Sequence, residues 1–257
     1  MSPRRGAGSL QWSDPPSDSL PRSPPIEVAM HSVSRARDSR ALSGFALVLL
    51  CALAAPPAPA EPAAPPAGHP DQAPGAATPT AAIDALHASL LDVMKNAETL
   101  GYAGREQKLA TVIPNYFDVD EMARKALGEP QWKLASEDLR HRYLETFERF
   151  MVANYAGRFD GFSGQSFQTL GEVQGPRDTV IVKSRLIDPS DKNVDLNYRM
   201  HKVDGAWKVI DVYLDGTVSE LALRRSEFVS IVKRQNLDAL LVALDAKIAK
   251  LKAGGES

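Results

Sequence analysis

Residues 166–214 hold four runs that alternate apolar and polar side chains, at 166–175, 179–187, 193–203 and 206–214. Alternation with a period of two places the apolar residues of a strand on one side of a sheet. Four such runs in succession therefore demand a meander with one buried face. Val180, Val182 and Leu186 point one way while Lys183 and Arg185 point the other. Val194, Leu196, Tyr198 and Met200 stand in the same way against Asp195, Asn197 and Arg199. Asp204-Gly205 between the last two runs is a two-residue hairpin signal, because both residues tolerate the positive φ of a type I′ turn. Gly175-Pro176-Arg177-Asp178 and Asp188-Pro189-Ser190-Asp191 mark the other two reversals.

The flanks read as helices. Thr80 has the character of an N-cap, and Ile83, Leu86, Leu90, Met94 and Ala97 follow at three- and four-residue spacing, ending near Gly101. A second helix is expected over 104–115. Asp118-Val-Asp-Glu121 is a capping-box pattern that opens a short helix closed by Gly128. Ser136 with Glu137 and Asp138 opens a long helix whose stripe is Leu139, Tyr143, Phe147, Phe150, Met151 and Tyr155, ending at Gly157. After the sheet, Asp215-Gly216 turns the chain into helices at about 219–235 and 237–252. The fold class expected is α+β: a four-stranded antiparallel meander packed on one side by helices.

Proline usage sets the domain limits. Of 19 prolines, 15 fall before Thr80, so the folded unit of the 257-residue chain is expected at 80–253. Residues 1–29 show no periodicity and read as an unstructured extension, from an over-extended start. Met30 opens a different stretch, with Arg35, Arg37 and Arg40, an apolar run from Phe45 to Ala55, and Ala58-Pro59-Ala60. That is the layout of a secretory signal peptide, 30–60, with a short apolar region rather than a bilayer span. Residues 61–79 are an Ala/Pro-rich linker that can bury almost nothing. From Glu61 onward there are 24 basic and 28 acidic residues, a net of −4, which is no footprint for nucleic acid. The single cysteine, Cys51, lies in the segment expected to be removed, so the mature chain has neither disulfides nor thiol chemistry.

Catalytic patterns are missing. There is no HExxH, GxSxG, P-loop or GxGxxG, and Gly161-Phe-Ser-Gly164 only loosely resembles a nucleophile elbow. His87, His141 and His201 sit among polar neighbours, as solvated or hydrogen-bonded histidines do. Asp195 and Asp211 fall on neighbouring strands. The ordinary reading has Asp195 solvated and Asp211 paired with Arg199 or Lys208. No metal site, cofactor or enzymatic activity is expected.

Two further stretches are informative together. One is Tyr116-Phe-Asp-Val-Asp-Glu-Met-Ala-Arg-Lys-Ala-Leu-Gly128. The other is Gly205-Ala-Trp-Lys-Val-Ile-Asp-Val-Tyr-Leu-Asp-Gly216, continuing into Leu223-Arg-Arg-Ser-Glu-Phe228 and Leu237-Asp-Ala-Leu-Leu241. Their order and spacing, with Asn154-Tyr-Ala156, resemble the MlaC-type auxiliary proteins of ABC lipid transporters, the toluene-tolerance family, over about 80–252. The resemblance implies a periplasmic monomer that carries a phospholipid with its tails in an apolar cavity between sheet and helices. It implies an inner-membrane ABC transporter complex and an outer-membrane lipoprotein complex as partners, in keeping with outer-membrane lipid asymmetry. Arg224 stands where the common pattern has Tyr, and Asp215-Gly216-Thr217 replaces a more usual Glu-Gly-Val. These departures keep the hopanoid-associated branch of the family open.

On that reading the lining comes from Phe117, Met122, Phe147, Met151 and Tyr155 on the helices. From the sheet come Val180, Val182, Leu186, Leu196, Tyr198, Ile210, Val212 and Leu214. The last strand has a second apolar row in Trp207, Val209 and Tyr213, expected to pack on a terminal helix. Arg224, Arg225, Lys233 and Arg234 read as a solvated helix face, or as a docking surface for membranes or a transporter. Two other readings compete: a small α+β enzyme using His201, Asp195 or Asp211, and a ligand-free structural partner of a membrane complex.

Overall fold

The computed structural model describes residues 78–254. The expected signal peptide and the extension before it lie outside the described residues. Helix α1 (Pro79–Lys95) is capped by Thr78, two residues before the expected Thr80: the Thr78 hydroxyl accepts from the Ala81 amide, and Pro79 fills the first turn, where no N–H is required. Helix α2 (Ala97–Tyr116) follows almost without a loop, and Gly101 at φ 58° and ψ −174° breaks it internally. The break expected near Gly101 is therefore present, and a second one falls earlier, at Asn96. Helix α3 (Val119–Leu127) has the expected Asp118 cap, and Gly128 ends it at φ 85°. A one-turn helix, α4 (Glu129–Leu134), carries Pro130 in its first turn. The long α5 (Glu137–Arg158) is capped by Ser136 and runs through Gly157.

Strands β1 (Ser166–Gln174), β2 (Val180–Ile187), β3 (Val194–Val203) and β4 (Ala206–Leu214) form the meander, each antiparallel to the next. A two-residue strand, β5 (Val218–Ser219), pairs with the end of β4, so the sheet has five strands and not four. Helices α6 (Glu220–Arg234) and α7 (Leu237–Lys252) complete the domain. The β3–β4 turn has Asp204 at φ 50° and Gly205 at φ 86°, the double positive φ of the type I′ hairpin. No helix among the described residues is long and apolar enough to cross a membrane.

The register assembles the inner face row by row. Val182 stands opposite Tyr198, which stands opposite Val212; Ser184, Leu196 and Leu214 make the next row, and Phe167, Leu186 and Val194 another. The β3–β4 ladder slips between Arg199 and Met200, leaving Ile210 as the extra residue of a bulge. The bulge resolves the double apolar pattern of β4. Val209 moves opposite Met200 on the inner face, Trp207 stands opposite Lys202, and Tyr213 stays outside opposite Asn197. Helices α1, α2, α3 and α6 lie against the sheet, and α5 forms a second layer with α7 packed on it. Of the two helices that follow the sheet, α6 meets β4 and α7 covers α5.

Candidate functional site

The interior between sheet and helices is built of apolar side chains from both. Val182, Leu186, Leu196, Tyr198 and Val212 are all buried on the sheet side. Val180 and Leu214 are partly buried nearer its edges. Ile210 is buried at the bulge, outside the contiguous core. From the helices, Phe117, Met122, Phe147 and Met151 are buried, and Tyr155 is partly so. The sequence reading left α1 out of this wall, although Ile83, Leu86, Leu90 and Met94 are each at most 1% exposed in the same core. It also left out Val209, displaced by the bulge, and Phe159 beyond the end of α5. For α1 the three- and four-residue spacing was the available signal.

Phe117 anchors the junction of α2 and α3. Its backbone bridges to Val209, and its ring meets Tyr155 edge-on at 5.4 Å between centroids. Tyr155 stacks in turn on Phe159 at 5.6 Å. Burial pushes the Tyr155 and Tyr198 phenols well above their usual range, so both stay neutral. Few polar groups interrupt the wall. The Ser184 hydroxyl donates to the Leu196 carbonyl at 2.6 Å. His87, expected among polar neighbours, is buried instead. Its ring stacks on Phe167 at 4.1 Å, and its Nε2 lies 3.2 Å from the Tyr198 hydroxyl. Burial lowers its pKa to about 4, against a smaller opposing pull from Asp84, so the imidazole is neutral at pH 7.

The remaining catalytic candidates have structural work. Asp195 is not simply solvated: it accepts two hydrogen bonds from the Arg185 guanidinium, at 2.6 and 3.2 Å. Asp211 faces Arg199 in the register but pairs with neither Arg199 nor Lys208. It accepts from the Ser219 hydroxyl at 2.7 Å and from the Leu221 amide at 3.2 Å, fixing the start of α6. Burial raises its pKa, opposed by those hydrogen bonds. His201 Nε2 contacts Asp118 at 2.8 Å. Exposed His141 lies 3.6 Å from Glu145 on the outer surface of α5. The residues that an enzyme would need are thus spread over three separate contacts, and none converges with another on a reacting centre.

The MlaC protein family matches residues 84–246, and the chain belongs to that family. Its fold is similar to that of a phospholipid-binding protein from Ralstonia solanacearum, whose structure was determined in complex with a phospholipid. The TM-score is 0.57 at 22% identity, over 66% of this chain and 97% of the other. No curated protein sequence matches the chain.

Proposed function

We propose that the protein is a periplasmic lipid carrier serving an inner-membrane ABC transporter, and that it holds the tails of its cargo between sheet and helices. The observation that carries this reading is the composition of the wall. From Val182 through Tyr198 to Val212 on the sheet, and from Phe117 to Tyr155 on the helices, it offers an almost wholly apolar surface with few polar groups. Such a surface suits acyl chains and provides no reacting group.

The energetics require shielding of this kind. Moving two long acyl chains from hydrocarbon into water costs on the order of 25 kcal/mol at roughly 0.8 kcal/mol per CH₂. A soluble intermediate is feasible only when nearly all of that surface stays covered. The phospholipid held by the Ralstonia solanacearum protein supports a phospholipid as cargo. A hopanoid would use the same wall, with a rigid ring system in place of tails. An outer-membrane lipoprotein complex would be the second station of such a shuttle.

Organic extraction of the purified chain from residue 61, followed by mass spectrometry, tests the reading. A stoichiometric phospholipid or hopanoid is expected. A protein that yields no lipid and takes up none from micelles is a filled-core structural partner instead.

A further inference from the structure

Helix α6 presents Glu220, Arg224 and Phe228 at four-residue spacing, which aligns them on one row. Phe228 is 0% exposed and meets the rings of Phe147 and Phe150 edge-on. Arg224, one turn earlier, holds its guanidinium 4.9 Å from the centroid of the buried Phe150 ring. Two charged residues therefore occupy the packed side of the helix. Arg225, Lys233 and Arg234 are exposed, but the Arg224 side chain is only 21% exposed and does not belong to that solvated face.

The charges around Arg224 do not balance. Arg158 Nη1 donates to Glu220 Oε1 at 2.7 Å, with both side chains mostly buried, so this carboxylate is engaged by a neighbouring cation. The other acid near Arg224 is Glu227, 3.9 Å away and bonded to Lys247 Nζ. Burial lowers the pKa of Arg224, and Arg158 adds to that effect while Glu220 and Glu227 oppose it. A half-dehydrated guanidinium without a close carboxylate of its own is costly unless an anion completes it. Its planar fork matches two oxygens of a phosphate group. The cluster borders the tail wall as well, because Arg158 lies one turn beyond Tyr155 on the same face of α5.

We propose that Arg224, beside an Arg158 clamped by Glu220, receives the phosphate ester of a bound lipid whose chains lie along the Tyr155 end of the wall. The proposal rests on the carrier reading and adds a headgroup preference to it. Glu220 keeps Arg158 in place and offsets part of its charge, so the site has one net cation to offer a monoanionic phosphodiester.

The test loads delipidated protein from mixed micelles with either dioleoyl phosphatidylmethanol or dioleoylglycerol, which share tails and differ in a monoanionic phosphodiester capped by a single methyl, and reads occupancy by native mass spectrometry. A preference of about tenfold for the phospholipid is expected, the size of one charge-assisted hydrogen bond. Arg224→Met should abolish the preference, and Arg224→Lys should retain part of it. If Arg224→Met does not fold, Arg224→Gln provides the same reading. Equal loading of both lipids by the unaltered protein, or a full preference in a folded Arg224→Met or Arg224→Gln variant, overturns the headgroup site. Loading of neither lipid overturns the carrier reading itself. Stabilisation by inorganic phosphate that depends on Arg224, with no preference between the lipids, assigns the site to a free anion and overturns the lipid source.

Discussion

Asp118 and His201, 83 residues apart, meet at 2.8 Å through Oδ2 and Nε2. The other carboxylate oxygen, Oδ1, accepts from the Glu121 amide and caps α3, while the Asp118 amide donates to the Val209 carbonyl beside the bulge. Phe117-Asp118 is therefore a clamp: the ring enters the core, and the carboxylate joins a helix start to the sheet. Asp118→Ala should lower stability by about 1–2 kcal/mol through the lost cap alone, and Asp118→Asn should keep most of it, because Asn caps as well as Asp. Urea denaturation of the two variants measures this. Equal losses would mean that the His201 contact, not the cap, dominates.

Stability should depend on pH through His87. In the unfolded chain its imidazole takes a proton near pH 6.5, whereas in the folded protein burial delays this to about 4. Between those values the unfolded state binds more protons, so stability falls as pH drops through that window. The contribution is complete above pH 6.5, and its loss amounts to about 3 kcal/mol at most by pH 4. Carboxylates add their own loss at the acid end, so the comparison is with His87→Gln. The denaturation midpoint of that variant should fall less between pH 7 and pH 4.5, and an unchanged fall refutes the assignment.

Phe228 joins α6 to α5 through two edge-on ring contacts and is fully buried. Phe228→Ala should cost about 3–5 kcal/mol, the usual range for emptying an aromatic site in a core. Phe228→Leu should recover more than half of that. Chemical denaturation provides both values.

Leu214 closes the Ser184–Leu196 row and is only partly buried, so a longer side chain there has an outlet. Leu214→Arg should keep the far-ultraviolet circular dichroism of the parent while lowering co-purifying lipid severalfold, because its charge resists burial beside acyl chains. Undiminished lipid in the folded variant would place the tails elsewhere.

The meander, its hairpins and the Asp118 and Ser136 caps were legible in the sequence, because each rests on a local rule: alternation, positive φ at Asp204-Gly205, or an oxygen placed before a helix. The bulge at Ile210 was not, since one inserted residue leaves both halves of β4 alternating and changes only their phase. The same slip made Trp207 and Val209 look like a second apolar face. Strand β5 has two residues, too few for a period, and α4 is a single turn. Asp211 had two cations in plausible reach by strand order, yet its partners came from the chain that follows, which no pairing rule covers. Arg224 lay hidden among Arg225, Lys233 and Arg234, because a run of charges conceals which member turns inward. Only the family resemblance pointed to a lipid in the interior. An apolar row facing side chains has the same letters as one facing acyl chains.

The slip at Leu170 gives the other side of the sheet a distinct property. β5 covers part of β4, while β1 is a terminal strand with β2 as its neighbour. The β1–β2 ladder is out of step between Thr169 and Gly171, so β1 is two four-residue pieces, 166–169 and 171–174, rather than one straight template. A second molecule laid along it would find each piece too short to hold and the two out of phase. Crowding many copies together then carries less risk of stacking strand on strand.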